Sequence, residues 1–170
     1  MSVNTLHELF VDQLKDIYSA ETQLLTGLPK MAAAANNADL RKAFQDHLKE
    51  THEHVRRLEH LFGHLGESPT GETCKAMQGL IKEADEHLAH TYGDPNLRDA
   101  CLIACAQRIE HYEIAAYGTV AVLARHLGLP EAKSTLEKTC GEEGAADKLL
   151  TKIAEGSWFT AGLNKKAESA

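Results

Sequence analysis

Two stretches of this 170-residue chain repeat each other, and the repeat limits the folds open to it. At an offset of 92 positions the two lie over one another without a gap. Leu24 falls on Ala116, Leu28 on Val120, Met31 on Leu123 and Ala35 on Leu127. Beyond a break, Phe44 falls on Leu136, Leu48 on Cys140, Leu58 on Leu150 and Leu61 on Ile153. The breaks coincide as well, Asn37 with Leu129 and Ala38 with Pro130. Any two amphipathic hairpins with equal turns would share some of these apolar matches. The acidic matches say more: Glu21 falls on Glu113 and Glu50 on Glu142, so each hairpin carries two glutamates 29 residues apart. A hairpin repeated in this way predicts a pseudo-twofold bundle with one glutamate from each of four helices at a shared level near the axis.

The periodicity agrees. Leu6, Phe10, Leu14, Ile17, Leu24, Leu28 and Met31 form one apolar stripe at close to heptad spacing, which predicts a helix capped by Asn4 or Thr5. Pro29 is expected to kink it. Turn signals at Asn36-Asn37, Gly63 to Pro69, Gly93-Asp94-Pro95 and Gly128-Leu129-Pro130 divide the rest. The expected helices cover about 5–35, 39–63, 72–91, 97–127 and 131–155, within a single domain over 1–170. The tail, 156–170, is expected to fray from Lys165 onward. Two tight turns make two antiparallel hairpins, and the connector between them is long enough to cross the bundle. The fold class is all-α: a ferritin-like antiparallel four-helix bundle with a short extra helix in its long crossover.

Composition narrows the function. A formal net charge of −7 argues against nucleic acid or anionic membrane as the main partner. No stretch approaches the roughly 20 apolar residues of a membrane span. Met1 to Asp12 lacks the basic and apolar regions of a secretory signal, so a cytoplasmic location is expected. Cys101 and Cys105 share one helical face and could hold a metal, but no second close pair completes a zinc set. With Cys74 and Cys140 they are expected to be small, buried, reduced thiols.

Glu21 interrupts the stripe of Leu14, Ile17, Leu24 and Leu28, and Glu113 interrupts that of Ala106, Ile109, Ala116 and Val120. A surface glutamate would not be placed there. The rows of Glu50 (Ala43, His47, His54, Leu61) and Glu142 (Thr135, Thr139, Ala146, Ile153) are less apolar. Converging buried carboxylates repel unless cations lie between them, and two divalent ions offset four charges. Bundle sites of this kind use one Glu on each of two helices and Glu-x-x-His on each of the others. This chain departs from that pattern. It has Glu50-Thr51-His52-Glu53-His54 on the second long helix, and Glu142-Glu143-Gly144-Ala145-Ala146-Asp147, without histidine, on the last. The third long helix adds a second acid in Glu110-His111-Tyr112-Glu113. The expected ligands are Glu21, Glu50, Glu110 and Glu113, with His54 as the nitrogen donor and Glu53 as its rival. On the last helix the repeat selects Glu142, whereas the apolar face near Leu136 and Leu150 favours Glu143. His47 and His111 are candidates for orienting carboxylates. His52, His60, His64, His87 and His90 are expected to face solvent. Tyr18, Tyr112 and Tyr117 are expected to be packed with satisfied hydroxyls, and Asp147 to make a structural hydrogen bond.

Several segments resemble the YciF/YciE stress-induced proteins: Tyr18-Ser19-Ala20-Glu21, His47-Leu48-Lys49-Glu50-Thr51, Gln107-x-x-Glu110-His111-Tyr112-Glu113-Ile114-Ala115-x-Tyr117-Gly118, and Glu142-Glu143-x-x-x-Asp147. The likeness runs from about residue 4 to 155 and is most specific in Glu-His-Tyr-Glu-Ile-Ala. It implies a rubrerythrin-related bundle, often a homodimer, with a di-metal centre in which Glu110 is similar to the extra carboxylate of rubrerythrin-type sites. The expected function is a stress protein holding two Fe or two Mn ions and reacting with dioxygen or hydrogen peroxide, as a peroxidase, catalase or ferroxidase would. An electron donor would be a separate molecule, since no rubredoxin-like cysteine set is present. Iron binding or storage without turnover, and a structural or adaptor bundle with a vestigial site, are the alternatives.

Overall fold

The computed structural model describes residues 3–157 and 160–168. Four long helices carry the fold: α1 (Leu6–Ala34), α2 (Ala38–Leu65), α4 (Pro95–His126) and α5 (Pro130–Glu155). Between the hairpins lies α3 (Lys75–Leu88), and after α5 come strands β1 (Gly156–Ser157) and β2 (Thr160–Ala161) and a short α6 (Leu163–Ala167). The two strands pair antiparallel.

Local chemistry sets the helix ends. Thr5 caps α1 through a capping box: its hydroxyl accepts from the Glu8 amide, and the Glu8 carboxylate accepts from the Thr5 amide. Asn37 caps α2, accepting from the amides of Asp39 and Leu40. Asp94 caps α4, and α4 and α5 each begin with proline at the first turn, where its missing N–H costs nothing. Gly66 ends α2 at a φ of 69°, a left-handed conformation that glycine adopts without a Cβ penalty. Pro29 does not end α1, which stays helical to Ala34.

α1 packs beside α2 and α4, and α5 beside α4 and α2, which closes the four-helix ring. The connector must carry the chain from one end of the bundle to the other. It does so: Asp99, wholly buried at the start of α4, accepts hydrogen bonds from the amides of Asn36 and Asn37 in the α1–α2 turn. Thus α4 starts where α1 ends, and α3 rides along α1 and α4 on the way. This is the one-crossover, ferritin-like bundle the pattern predicts.

The tail departs from expectation. Lys165 lies within α6, which docks on α4 and α5 with Leu163 buried, and the expectation for 169–170 lies outside the described residues. The leucine lies beyond the last long apolar stripe, so no helical period marked it.

Two apolar clusters fill the bundle. One gathers Leu24, Leu28, Met31, Phe44, Leu102, Ile103, Ile109 and Leu150; the other gathers Phe10, Leu14, Ile17, Leu58, Phe62, Tyr117, Val120 and Leu136. On α2, α4 and α5 a gap separates the two, holding the stretch His47 to His54, Glu110 with Glu113, and Thr139 with Glu143; on α1 Glu21 lies just past the junction, between Ala20 and Leu24 of the first cluster. A polar layer is therefore closed above and below by hydrocarbon.

Candidate metal centre

Each long helix supplies the layer. α1 contributes Glu21; α2 contributes His47 and His54, seven residues and so about two turns apart on one face; α4 contributes Glu110 and Glu113, one turn apart; α5 contributes Glu143. All six are buried. They fall into two groups whose ligand atoms lie within 4.8 Å of one another: His47, Glu110, Glu113 and Glu143 in one, and Glu21, His54 and Glu143 in the other. Glu143 belongs to both. Its Oε1 lies 3.0 Å from His54 Nδ1 and its Oε2 lies 3.6 Å from His47 Nε2. His54 Nδ1 is also 3.3 Å from Glu21 Oε1, and His47 Nε2 is 3.4 Å from Glu110 Oε1.

These approaches are ion-pair distances without hydrogen-bond geometry. Both oxygens of Glu113, both of Glu143, one each of Glu21 and Glu110, both nitrogens of His47 and Nδ1 of His54 are buried with no hydrogen-bond partner. Buried polar atoms are normally satisfied, and leaving them unpaired is costly. Four carboxylates, two imidazoles and a surplus of inward lone pairs are the donor set that two hard-to-intermediate divalent cations require. The residues fit such a pair.

Protonation shows the same tension. Burial, reinforced by Glu143, Glu21 and Glu110, raises the Glu113 pKa well above the carboxylate range. Burial is also the main influence on Glu110, raised to about 8 although His47 opposes it, and on Glu21, which is raised despite His54. For the histidines burial pulls downward, but the carboxylates prevail. Glu110, Glu50 and Glu143 bring His47 to about 9, and Glu143 and Glu21 bring His54 to about 10. Without cations, protons neutralise the layer.

The layer meets the outside along one flank. A cavity of about 240 Å3 opens between α2 and α5 and is lined by His47, Glu50, Glu110, Ala145 and Ala146 among others. Small side chains on α5 leave that gap.

A family model described as "Domain of unknown function (DUF892)" matches residues 5–167. The chain belongs to this family. Protein YciF of Escherichia coli (strain K12) is 42% identical over 170 residues, covering 99% of each chain. The crystal structure of the E. coli stress protein YciF superposes with a TM-score of 0.85 at 43% identity, covering 89% of this chain and 95% of that one. YcfI from Rhodopseudomonas palustris gives 0.86 at 41% identity, covering 90% and 97%. A protein from Xanthomonas campestris pv. campestris, 19% identical, shares the fold with a TM-score of 0.68 over 87% of this chain.

Within this DUF892 bundle, Glu21, His54, Glu110, Glu113 and Glu143 meet in the layer, whereas Glu50, Glu142 and Glu53 do not. The Glu50 side chain is 52% exposed, with Oε2 3.5 Å from His47 Nδ1. Glu142 accepts from both terminal nitrogens of Arg57 and lies 3.1 Å from His54 Nε2. Burial acts to raise the Glu142 pKa, but the Arg57 guanidinium holds it below the usual range. Glu53 turns outward to Arg56 and Arg57. The two glutamates paired by the repeat thus stand in one relation: each lies behind a histidine, on the far side from the layer.

His47, read from sequence only as an orienting partner, is a full member of the layer. The signal was there, since it shares a row with Ala43, His54 and Leu61. His111 is exposed, 3.3 Å from Asp147, and lies outside the layer. Asp147 accepts from Gln107, and the three tyrosine hydroxyls are satisfied: Tyr18 by Glu59, Tyr112 by Asp16, Tyr117 by Glu21. Among the described residues, no helix is long and apolar enough to cross a membrane.

Proposed function

We propose that this chain is a di-metal carboxylate protein of the stress response that takes two Fe or two Mn ions and consumes dioxygen or hydrogen peroxide. The single observation that carries the reading is Glu143, fully buried, with one oxygen facing each of two ligand groups. His47, Glu110 and Glu113 would complete one position, and Glu21 and His54 the other. When bound, the two ions supply the electrons that reduce the oxidant.

The chain's own residues do the rest. The two apolar clusters keep bulk water from the layer, which strengthens every charge interaction inside it. Glu142, hydrogen-bonded to His54 Nε2, fixes the orientation of that ring, and Glu50 lies beside His47 Nδ1 at ion-pair distance. The cavity between α2 and α5 admits a small oxidant, and Glu50 at its mouth can pass protons between His47 and solvent. Stress relevance comes by similarity to the E. coli stress protein YciF. A homodimer, and reduction by a separate electron donor, complete the reading; sedimentation would give the oligomeric mass.

The test is metal content. Chelator-stripped protein is loaded anaerobically with Fe(II) or Mn(II), desalted and analysed by mass spectrometry beside Glu143→Ala. Two ions per chain, reduced in the variant, together with peroxide decay that needs the metal, support the proposal. Uptake that Glu143→Ala leaves unchanged would place the metal elsewhere and overturn it.

A further inference from the structure

A second cluster stands apart from the carboxylate layer and has different chemistry. His87, in the last turn of α3, and Cys101 and Cys105, one turn apart on α4, bring ligand atoms within 4.8 Å of one another. Eight residues of α4, about 12 Å of helix axis, separate Cys105 from Glu113. Cys105 is buried, while Cys101 and His87 are partly open to solvent, and all the thiols are free. No feature of the carboxylate layer uses them.

The geometry leaves the two thiols few fates. Residues four apart on a helix hold their Cβ atoms about 5–6 Å apart. A disulfide needs roughly 3.5–4.5 Å. The pair therefore cannot oxidise to a disulfide without unwinding α4, and it persists as a dithiol on one face. An imidazole from another helix completes a three-donor set of two sulfurs and one nitrogen. Soft donors of that kind select Cu(I) and Zn(II) over the hard cations that suit carboxylates. Charge near the ring is mixed: His87 Nε2 lies 4.0 Å from Glu83 Oε1, beyond hydrogen-bond reach, and Glu83 is itself paired with Arg108 at 3.2 Å.

We propose that His87, Cys101 and Cys105 form a second metal site that takes one soft d10 cation, Cu(I) or Zn(II). Binding forms two metal–sulfur bonds and one metal–nitrogen bond. The two thiol protons pass to solvent, and nothing is oxidised or reduced. Both thiols must give up their protons to bind, so uptake should strengthen as pH rises. The bound ion would cross-link α3 to α4 and pin the crossover to the bundle.

The full-length protein, reduced and stripped of metal, is titrated with Co(II) as a spectroscopic probe, then separately with Zn(II) and, anaerobically, with Cu(I) against a chromophoric chelator. A near-ultraviolet sulfur-to-cobalt charge-transfer band is expected, saturating at one equivalent and absent from a Cys101→Ser/Cys105→Ser variant. The band should survive Glu113→Ala, which separates this site from the carboxylate layer. His87→Ala should weaken binding at least tenfold. In the unmodified protein, one equivalent of Zn(II) or Cu(I) should shield two of the four thiols from a disulfide reagent, a readout that needs no variant to fold. Shielding by either ion supports the site and identifies the preferred cation. Failure of both to shield any thiol, or a charge-transfer band that persists in the folded double-serine variant, overturns it.

Discussion

Tyr117 on α4 donates its phenolic hydrogen bond to Oε1 of Glu21 on α1, entirely inside the bundle. Burial, with Glu21 beside it, raises the Tyr117 pKa well above its ordinary value, so the donor keeps its proton. Tyr117→Phe removes only the hydroxyl and leaves a buried carboxylate oxygen without its donor. The variant should lose about 1–3 kcal/mol in chemical denaturation of the metal-free protein. Its Mn(II) affinity should fall as well, because Glu21 is no longer held in place. An unchanged midpoint would mean that the bond contributes nothing net.

Metal-free stability should fall as pH rises. Glu110 moves from an ordinary value of 4.5 up to about 8, His47 from 6.5 to about 9, and His54 from 6.5 to about 10. Each binds its proton more tightly in the folded state. Each contribution is therefore whole below the unfolded pKa and is lost as pH climbs through the folded one. Between pH 6 and pH 8 the melting temperature of the stripped protein should drop. With saturating Mn(II), which binds the deprotonated groups, the drop should shrink or reverse. Parallel melting curves with and without Mn(II) would refute the linkage.

The repeat and the geometry make opposite predictions for the acids of α2 and α5. If the layer is as described, Glu50→Ala and Glu142→Ala keep two ions per chain and lose about 10–100-fold in affinity, as partners behind a ligand do. Glu143→Ala should lose at least one ion outright. Equilibrium dialysis with Mn(II) distinguishes them; stoichiometric loss in Glu142→Ala would restore the repeat's choice.

Glu113 has no hydrogen-bond partner for either oxygen. Glu113→Met keeps similar volume and removes a buried ionisable group, so the metal-free protein should become more stable, by about 1–4 kcal/mol. It should also take up less metal. A functional site that resists its own fold shows this trade-off. A metal-free variant less stable than the parent would show that Glu113 has a favourable partner after all.

Much of this was legible in the sequence. The offset repeat located the two hairpins, and the apolar stripes interrupted by Glu21 and Glu113 located the layer on α1 and α4, because a glutamate in register with apolar side chains has nowhere else to go. On α2 and α5 the same logic failed for a physical reason. At the level of the layer their inward faces carry His47, Thr51 and His54 on α2 and Thr139 on α5 rather than hydrocarbon, so the stripe no longer discriminates between neighbouring acids. Arg57 then decides between Glu142 and Glu143 by drawing Glu142 aside, an interaction between α2 and α5 that one-dimensional spacing does not contain. The docking of α6 was invisible likewise, since a five-residue helix with one buried leucine has no period to read.

The layer's position between two separate hydrocarbon plugs divides labour within the chain. The plugs supply the burial that folds the bundle, and the six side chains between them add little to it. Exchange of a residue in that seam should alter the donors the interior offers sooner than whether the bundle folds. Such an architecture can change its interior chemistry through single substitutions while its scaffold stands still.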